Sequence, residues 1–168
     1  MAADHSQTQD RLDISDLLYR YAHAIDGKDF DILDSLFTAD AVVHYDVEGG
    51  AELPFGEMKS WLGNVLQMFR ATQHCVTNPV IVFDGPDSAH SVCYLTATHE
   101  QVTDDGRRAI FVDQGIYSDS LDRTADGWRI RHRKLTRIVC HGDFIAPDEA
   151  IAHPHAPESV VGVLQTVR

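Results

Sequence analysis

Gln73-His74-Cys75-Val76-Thr77-Asn78-Pro79-Val80-Ile81-Val82-Phe83-Asp84-Gly85-Pro86-Asp87 opens the half of the chain that decides its fold. Residues 73–84 are rich in β-branched side chains and end at a turn signal, Asp84-Gly85-Pro86-Asp87, which predicts a strand closed by a turn. The pattern then repeats. Residues 88–102 read as a strand that ends near Asp104-Asp105-Gly106, and residues 107–121 as another, closed by Thr124-Ala125-Asp126-Gly127. Residues 128–141 make the last. Four consecutive strands joined by short turns predict an antiparallel meander.

Upstream, the period changes from two to 3.6. Ile14, Leu17, Leu18, Tyr21 and Ile25 recur at helical spacing after a capping-box match, Ser6-Gln7-Thr8-Gln9, and before Gly27, which reads as the C-cap. A second short helix is predicted at about 29–38, through Phe30, Leu33, Leu36 and Phe37. Ala41–Tyr45 reads as a short strand and Glu48-Gly49-Gly50 as a turn. Met58, Trp61, Leu62, Val65, Leu66 and Phe69 mark a third helix. Segment 143–168 carries Pro147, Pro154 and Pro157 and reads as an irregular tail with a short helix at 158–166. Helices on one face of an antiparallel sheet define an α+β domain. The 168 residues make a single domain, core about 10–142, enough to bury roughly 70% of the unfolded surface.

Composition narrows the partners. The 26 acidic and 14 basic residues give a net charge of −12, so phosphate backbones and anionic lipid are repelled: no nucleic acid, no membrane. Cys75, Cys93 and Cys140 are odd in number and far apart, which fits reduced thiols and a cytoplasmic setting. The N-terminus has neither the cationic start nor the apolar core of a signal peptide. The ten histidines include His153-Pro154-His155, but no set of metal ligands at a usable spacing. Dinucleotide, P-loop and nucleophile-elbow motifs are absent from the sequence.

A few polar residues sit badly in this frame. Asp26 closes the first helix, where a carboxylate opposes the negative dipole end at about 0.3–1 kcal/mol. It is either a solvated turn residue or a functional one. Tyr21 lies on the apolar stripe. Strict alternation puts His74, Val76, Asn78, Val80 and Val82 on one face; His74 is either a satisfied core histidine or a cavity residue. The last strand, Trp128–Arg137, inverts the charge of the chain, and Arg133 or His132 can face a cavity to neutralise an anion. His99, Tyr94, Asp113 and Tyr117 are further candidates on the middle strands.

These residues together resemble the SnoaL-like branch of the nuclear-transport-factor-2-like superfamily. The resemblance lies in Leu18-x-x-Tyr21-Ala22-x-Ala24-Ile25-Asp26-x-x-Asp29, Leu36-Phe37-x-x-Asp40-Ala41-Val42, Thr72-x-His74-x-x-x-Asn78 and Asp126-Gly127-Trp128-Arg129-Ile130 followed by Arg133. It implies a cone-shaped, curved, mixed or antiparallel sheet packed on three N-terminal helices around a pocket. It also implies a cofactor-free lyase or isomerase, dehydratase-type, with no metal, in the manner of scytalone dehydratase, a bile-acid dehydratase and a dehydrochlorinase. Asp26 and His74 occupy the positions of the family's His–Asp dyad, with Tyr21 and Arg133 as further catalytic residues. His99, Asn78, Tyr94 and Trp61 are the expected substrate contacts. The implied substrate is small, hydrophobic and polycyclic, steroid-like or polyketide-like, and the implied assembly a homodimer or homotrimer. The same superfamily holds non-catalytic binding proteins and the small subunits of ring-hydroxylating oxygenases, which is the alternative reading.

Overall fold

The computed structural model describes residues 5–45, 50 and 52–164. The first helix, α1, spans His5–Asp26, so Ser6 lies within it rather than capping it. The whole predicted stripe is buried: Ile14, Leu17, Leu18, Tyr21 and Ile25 are each 4% exposed or less. A Schellman motif ends the helix, with Asp29 N–H donating to Ala24 O and Lys28 N–H to Ile25 O. The left-handed residue is Lys28 (φ 52), one position beyond the predicted Gly27.

The predicted second helix is a 3₁₀ helix, Phe30–Ser35. Asp29 supplies no side-chain cap, and only seven residues separate it from the next strand. Leu33 and Leu36 nevertheless reach the core. Strands β1 (Phe37–Tyr45) and β2 (Glu52–Pro54) precede α2 (Phe55–Val65) and a 3₁₀ turn at Leu66–Met68. Apart from Gly50, the predicted turn at 48–50 lies outside the described residues. The meander follows as β3 (Ala71–Phe83), β4 (Ser88–Val102), β5 (Arg108–Thr124) and β6 (Gly127–Gly142). A short α3 (Glu158–Leu164) follows the irregular tail.

The six strands form one open sheet in the order β2-β1-β6-β5-β4-β3. Every pair is antiparallel except β1 with β6, so the sheet is mixed. Helix α1 packs on β3 and β6, and α2 on β1. The fold is α+β, as the sequence predicts.

Several register shifts interrupt the simple alternation, and two of them bear on the site. In β3 the register shifts between Thr77 and Val80, with Asn78 at φ 54. One extra residue swaps the faces of all that follows. His74 and Val76 are partly buried, but Val80 (64%) and Val82 (56%) point outward, and Ile81 replaces them in the core. In β6 a second shift falls opposite Gln114 and Gly115. Here the β6 backbone comes so close that a Cβ on Gly115 would lie 2.7 Å from Thr136 O.

Candidate active site

Asp26 and His74 meet at the end of α1. Thr72 and His74 are two apart on β3 and so share a face. Three donors converge on the Asp26 carboxylate: Thr72 Oγ1 on Oδ1 (2.9 Å), the His74 backbone N–H on Oδ2 (2.8 Å) and His74 Nδ1 beside Oδ1 (2.7 Å). These bonds offset the dipole penalty that makes Asp26 odd in the sequence. Both side chains are largely buried, at 12% and 8% exposure. An ionised carboxylate only accepts, so Nδ1 carries the proton and Nε2 holds the lone pair.

His74, but not Asp26, lines a cavity of about 890 Å³ between the helices and the inner sheet face, within the range of small-ligand pockets. Most of the wall is apolar, including Ile25, Leu62, Leu66, Phe69, Leu95 and Phe111. His99 stands next to His74, ring centroids 5.5 Å apart and nearly perpendicular. Its Nδ1 is buried without a hydrogen-bond partner. Burial, and next the neighbouring His74, push the His99 imidazole down to about 4, so it is neutral at pH 7.

This has a consequence for stability. The folded value lies below the ordinary 6.5, so as pH falls the unfolded chain takes the proton first. The protein keeps its full stability above pH 6.5 and loses roughly 3 kcal/mol by pH 4 through this group. Urea unfolding at pH 7 and pH 4.5 measures the loss, and His99→Gln removes most of it.

A tyrosine group forms another part of the wall. The Tyr21 and Tyr45 hydroxyls lie 2.5 Å apart, and the Tyr117 ring meets the Tyr21 ring edge-on at 5.7 Å. Burial pushes the Tyr45 and Tyr117 phenols well above their ordinary value, so both remain protonated donors. Trp61 also lines the cavity, 5.9 Å from the Tyr45 ring. Arg137 reaches the wall from β6, held by Asp113 through Nε (2.9 and 3.0 Å) and Nη2 (2.7 Å).

Asp26, His74, Tyr21, His99, Trp61, Asp113 and Tyr117 therefore come together, and four other predicted residues do not. Asn78 is exposed in the β3 bulge. Tyr94 is 52% exposed on the outer face, because Cys93, Leu95 and Ala97 take the inner positions of β4. Arg133 faces inward but is fully buried behind the tyrosines, not in the cavity wall. His132 lies 3.8 Å from Glu52. Tyr45 and Arg137 were not predicted for the site. Alternation marks both, since Tyr45 follows buried Val43, and Arg137 continues the face of Arg133 and Leu135.

The tail completes the enclosure. Phe144 and Pro147 line the cavity. Buried Gln101 brackets Ile145, its Nε2 donating to Ile145 O and its Oε1 accepting from Ile145 N–H, both at 2.9 Å. Further along, Ile151 N–H donates to Val102 O and His153 N–H to Gln67 O. Lys28 Nζ donates to Phe69 O (2.7 Å) and to His153 O. Gln101→Leu leaves the Ile145 amide and carbonyl unpaired at a cost of about 1–3 kcal/mol each. The expected result is faster hydrogen exchange across 143–153, with the exchange of α1 unchanged. No described helix is long and apolar enough to cross a membrane.

Comparison with known proteins agrees with this architecture. An uncharacterized protein of Mycobacterium tuberculosis strain H37Rv is 36% identical over 134 residues, 79% of this chain and 88% of that protein. The solved structure of the Kfla4162 protein from Kribbella flavida is 30% identical, covers 80% of this chain and 95% of its own, and superposes with a TM-score of 0.73. A protein assigned as a scytalone dehydratase, from Novosphingobium aromaticivorans, is 22% identical, covers 91% and 99%, and has a TM-score of 0.72; at that identity it shows the fold. The SnoaL-like domain matches residues 6–134, and the chain belongs to the SnoaL-like family.

Proposed function

We propose that the protein is a cofactor-independent lyase or isomerase, dehydratase-type, that acts on a small hydrophobic substrate of polycyclic, steroid-like or polyketide-like form. One observation carries the reading: a histidine whose Nδ1 is fixed by a buried carboxylate lines an apolar cavity that also presents tyrosine hydroxyls.

His74 Nε2 takes a proton from a carbon next to a carbonyl. The C–H electron pair moves toward the carbonyl, and the developing enolate oxygen accepts a hydrogen bond from the Tyr21–Tyr45 pair. The pair then forms the new C=C bond as the β-hydroxyl departs. That hydroxyl takes a proton from the His74 imidazolium and leaves as water, which restores the neutral histidine. Asp26 stabilises the imidazolium between the two transfers. The same first step with proton return to a different carbon gives an isomerase. Trp61, Phe69 and Phe111 supply flat apolar surface for a ring system.

The test is a panel of β-hydroxy ketones built on fused rings, followed by the absorbance of the conjugated product. Wild type is compared with His74→Ala and Asp26→Asn. Equal activity in all three removes the dyad from the mechanism. Tight binding with no turnover in the wild type makes the protein a ligand-binding one instead.

A further inference from the structure

Arg133 and Asp119 form an ion pair with neither side chain exposed. Arg133 Nε and Nη2 meet the two carboxylate oxygens at 2.8 Å each. Such a pair loses more hydration than its attraction returns, and well-packed apolar residues of similar size usually serve stability as well or better. Arg133 Nη1 is in addition buried without a hydrogen-bond partner. Stability alone therefore gives no reason for this pair.

Its position gives one. The guanidinium carbon lies 4.2 Å from the Tyr21 ring centroid and 4.3 Å from that of Tyr117. The cation is thus sandwiched between two tyrosines whose side chains line the cavity. We infer that the Arg133–Asp119 pair is a positioning element for Tyr21: it locks the ring and polarises the hydroxyl that Tyr21 and Tyr45 offer to a ligand oxygen. What the hydroxyl does for a substrate rests on the reading above; the polarisation itself does not.

A cation against a ring face favours negative charge on that ring's oxygen. Tyr45 on β1, Tyr117 on β5 and Arg133 on β6 face Tyr21, with Asp119 on β5 and Cys93 on β4 beside Arg133. Asp119 opposes Arg133, but Arg133 acts more strongly on Tyr45 than Asp119 does. The remaining groups are neutral at pH 7, since burial pushes the Cys93 thiol up to about 11 and keeps Tyr45 and Tyr117 protonated.

The experiment places 3,5-difluorotyrosine at position 21, where the phenol ionises closer to neutrality, and follows its titration by 19F NMR without substrate. Arg133→Met combined with Asp119→Leu removes both charges and keeps the volume; it is expected to lower the ionisation constant about tenfold. Asp119→Asn removes only the opposing charge and is expected to raise it. A general loosening of the site would move both variants the same way. Opposite shifts support the inference. Shifts of the same sign, or none above about twofold, overturn it, and if the double variant does not fold, Asp119→Asn decides alone. Activity plays no part, so an inactive protein leaves this inference standing, and unshifted titrations leave the dyad standing.

Discussion

His74→Ala is expected to lower turnover by about 10²–10⁴-fold, the usual worth of one placed general base. Asp26→Asn is expected to cost about as much, for a different reason. The carboxamide oxygen, at the Oδ2 position, still accepts from the His74 amide, and the Thr72 hydroxyl can turn to accept from the carboxamide nitrogen at the Oδ1 position. That nitrogen, however, can only donate, so it holds the imidazole with the proton on the wrong side and cannot stabilise the cation. Both losses should fall on kcat, with KM nearly unchanged, because neither group is needed to hold an apolar ring system. The double variant should be little worse than either single one, since the two residues act as a unit. Thermal melts separate this from misfolding: Asp26→Asn keeps the acceptor for the His74 amide, and the Thr72 hydroxyl can reverse its role and accept.

The largest stability effect is expected at Arg133. Arg133→Met leaves the Asp119 carboxylate fully buried with, among the described residues, only the Ser91 hydroxyl donating to it, at 3.4 Å. Breaking one side of a buried pair costs about 3–5 kcal/mol. In a domain of this size that lowers Tm by roughly 6–20 °C. Adding Asp119→Leu should recover most of the loss, because the second change removes the stranded charge. Calorimetry on the single and double variants checks the order. A double variant no more stable than the single would mean that packing around Tyr21 and Tyr117, not charge, dominates.

The residues differ in how far the sequence alone reveals them. The strands of the meander are legible to within a few residues, because β-branched runs and turn dipeptides both mark them. Asp26 and His74 stand out because each breaks a local rule, a carboxylate at the wrong helix end and a histidine among valines, but it is the family resemblance that pairs them. Asn78 misleads because of the β3 bulge, whereas Tyr94 stands on the regularly alternating β4, out of phase with His99. Which face a strand residue takes depends on register, and register depends on bulges that composition does not announce. Asn78 is itself the bulge. The sequence leaves Arg133 and His132 open as cavity residues; Arg133 is the one that turns inward, into the layer behind the wall. The acid that neutralises it, Asp119, lies on another strand. The tail could not be read from periodicity because it has none; side-chain to backbone bonds hold it.

The parallel pairing of β1 with β6 bears on how the protein is made. β1 ends at Tyr45, and β6 begins only at Gly127. At ribosomal speeds of about 5–20 residues per second, the gap lasts roughly 4–16 s. During that time the three-residue β2 is the only described strand that pairs with β1, so the edge that later meets β6 emerges from the ribosome unpaired. α1 and β3 are by then complete. A nascent chain halted between β3 and β4 carries both Asp26 and His74 and still lacks the wall that Leu95, His99, Phe111 and Tyr117 supply.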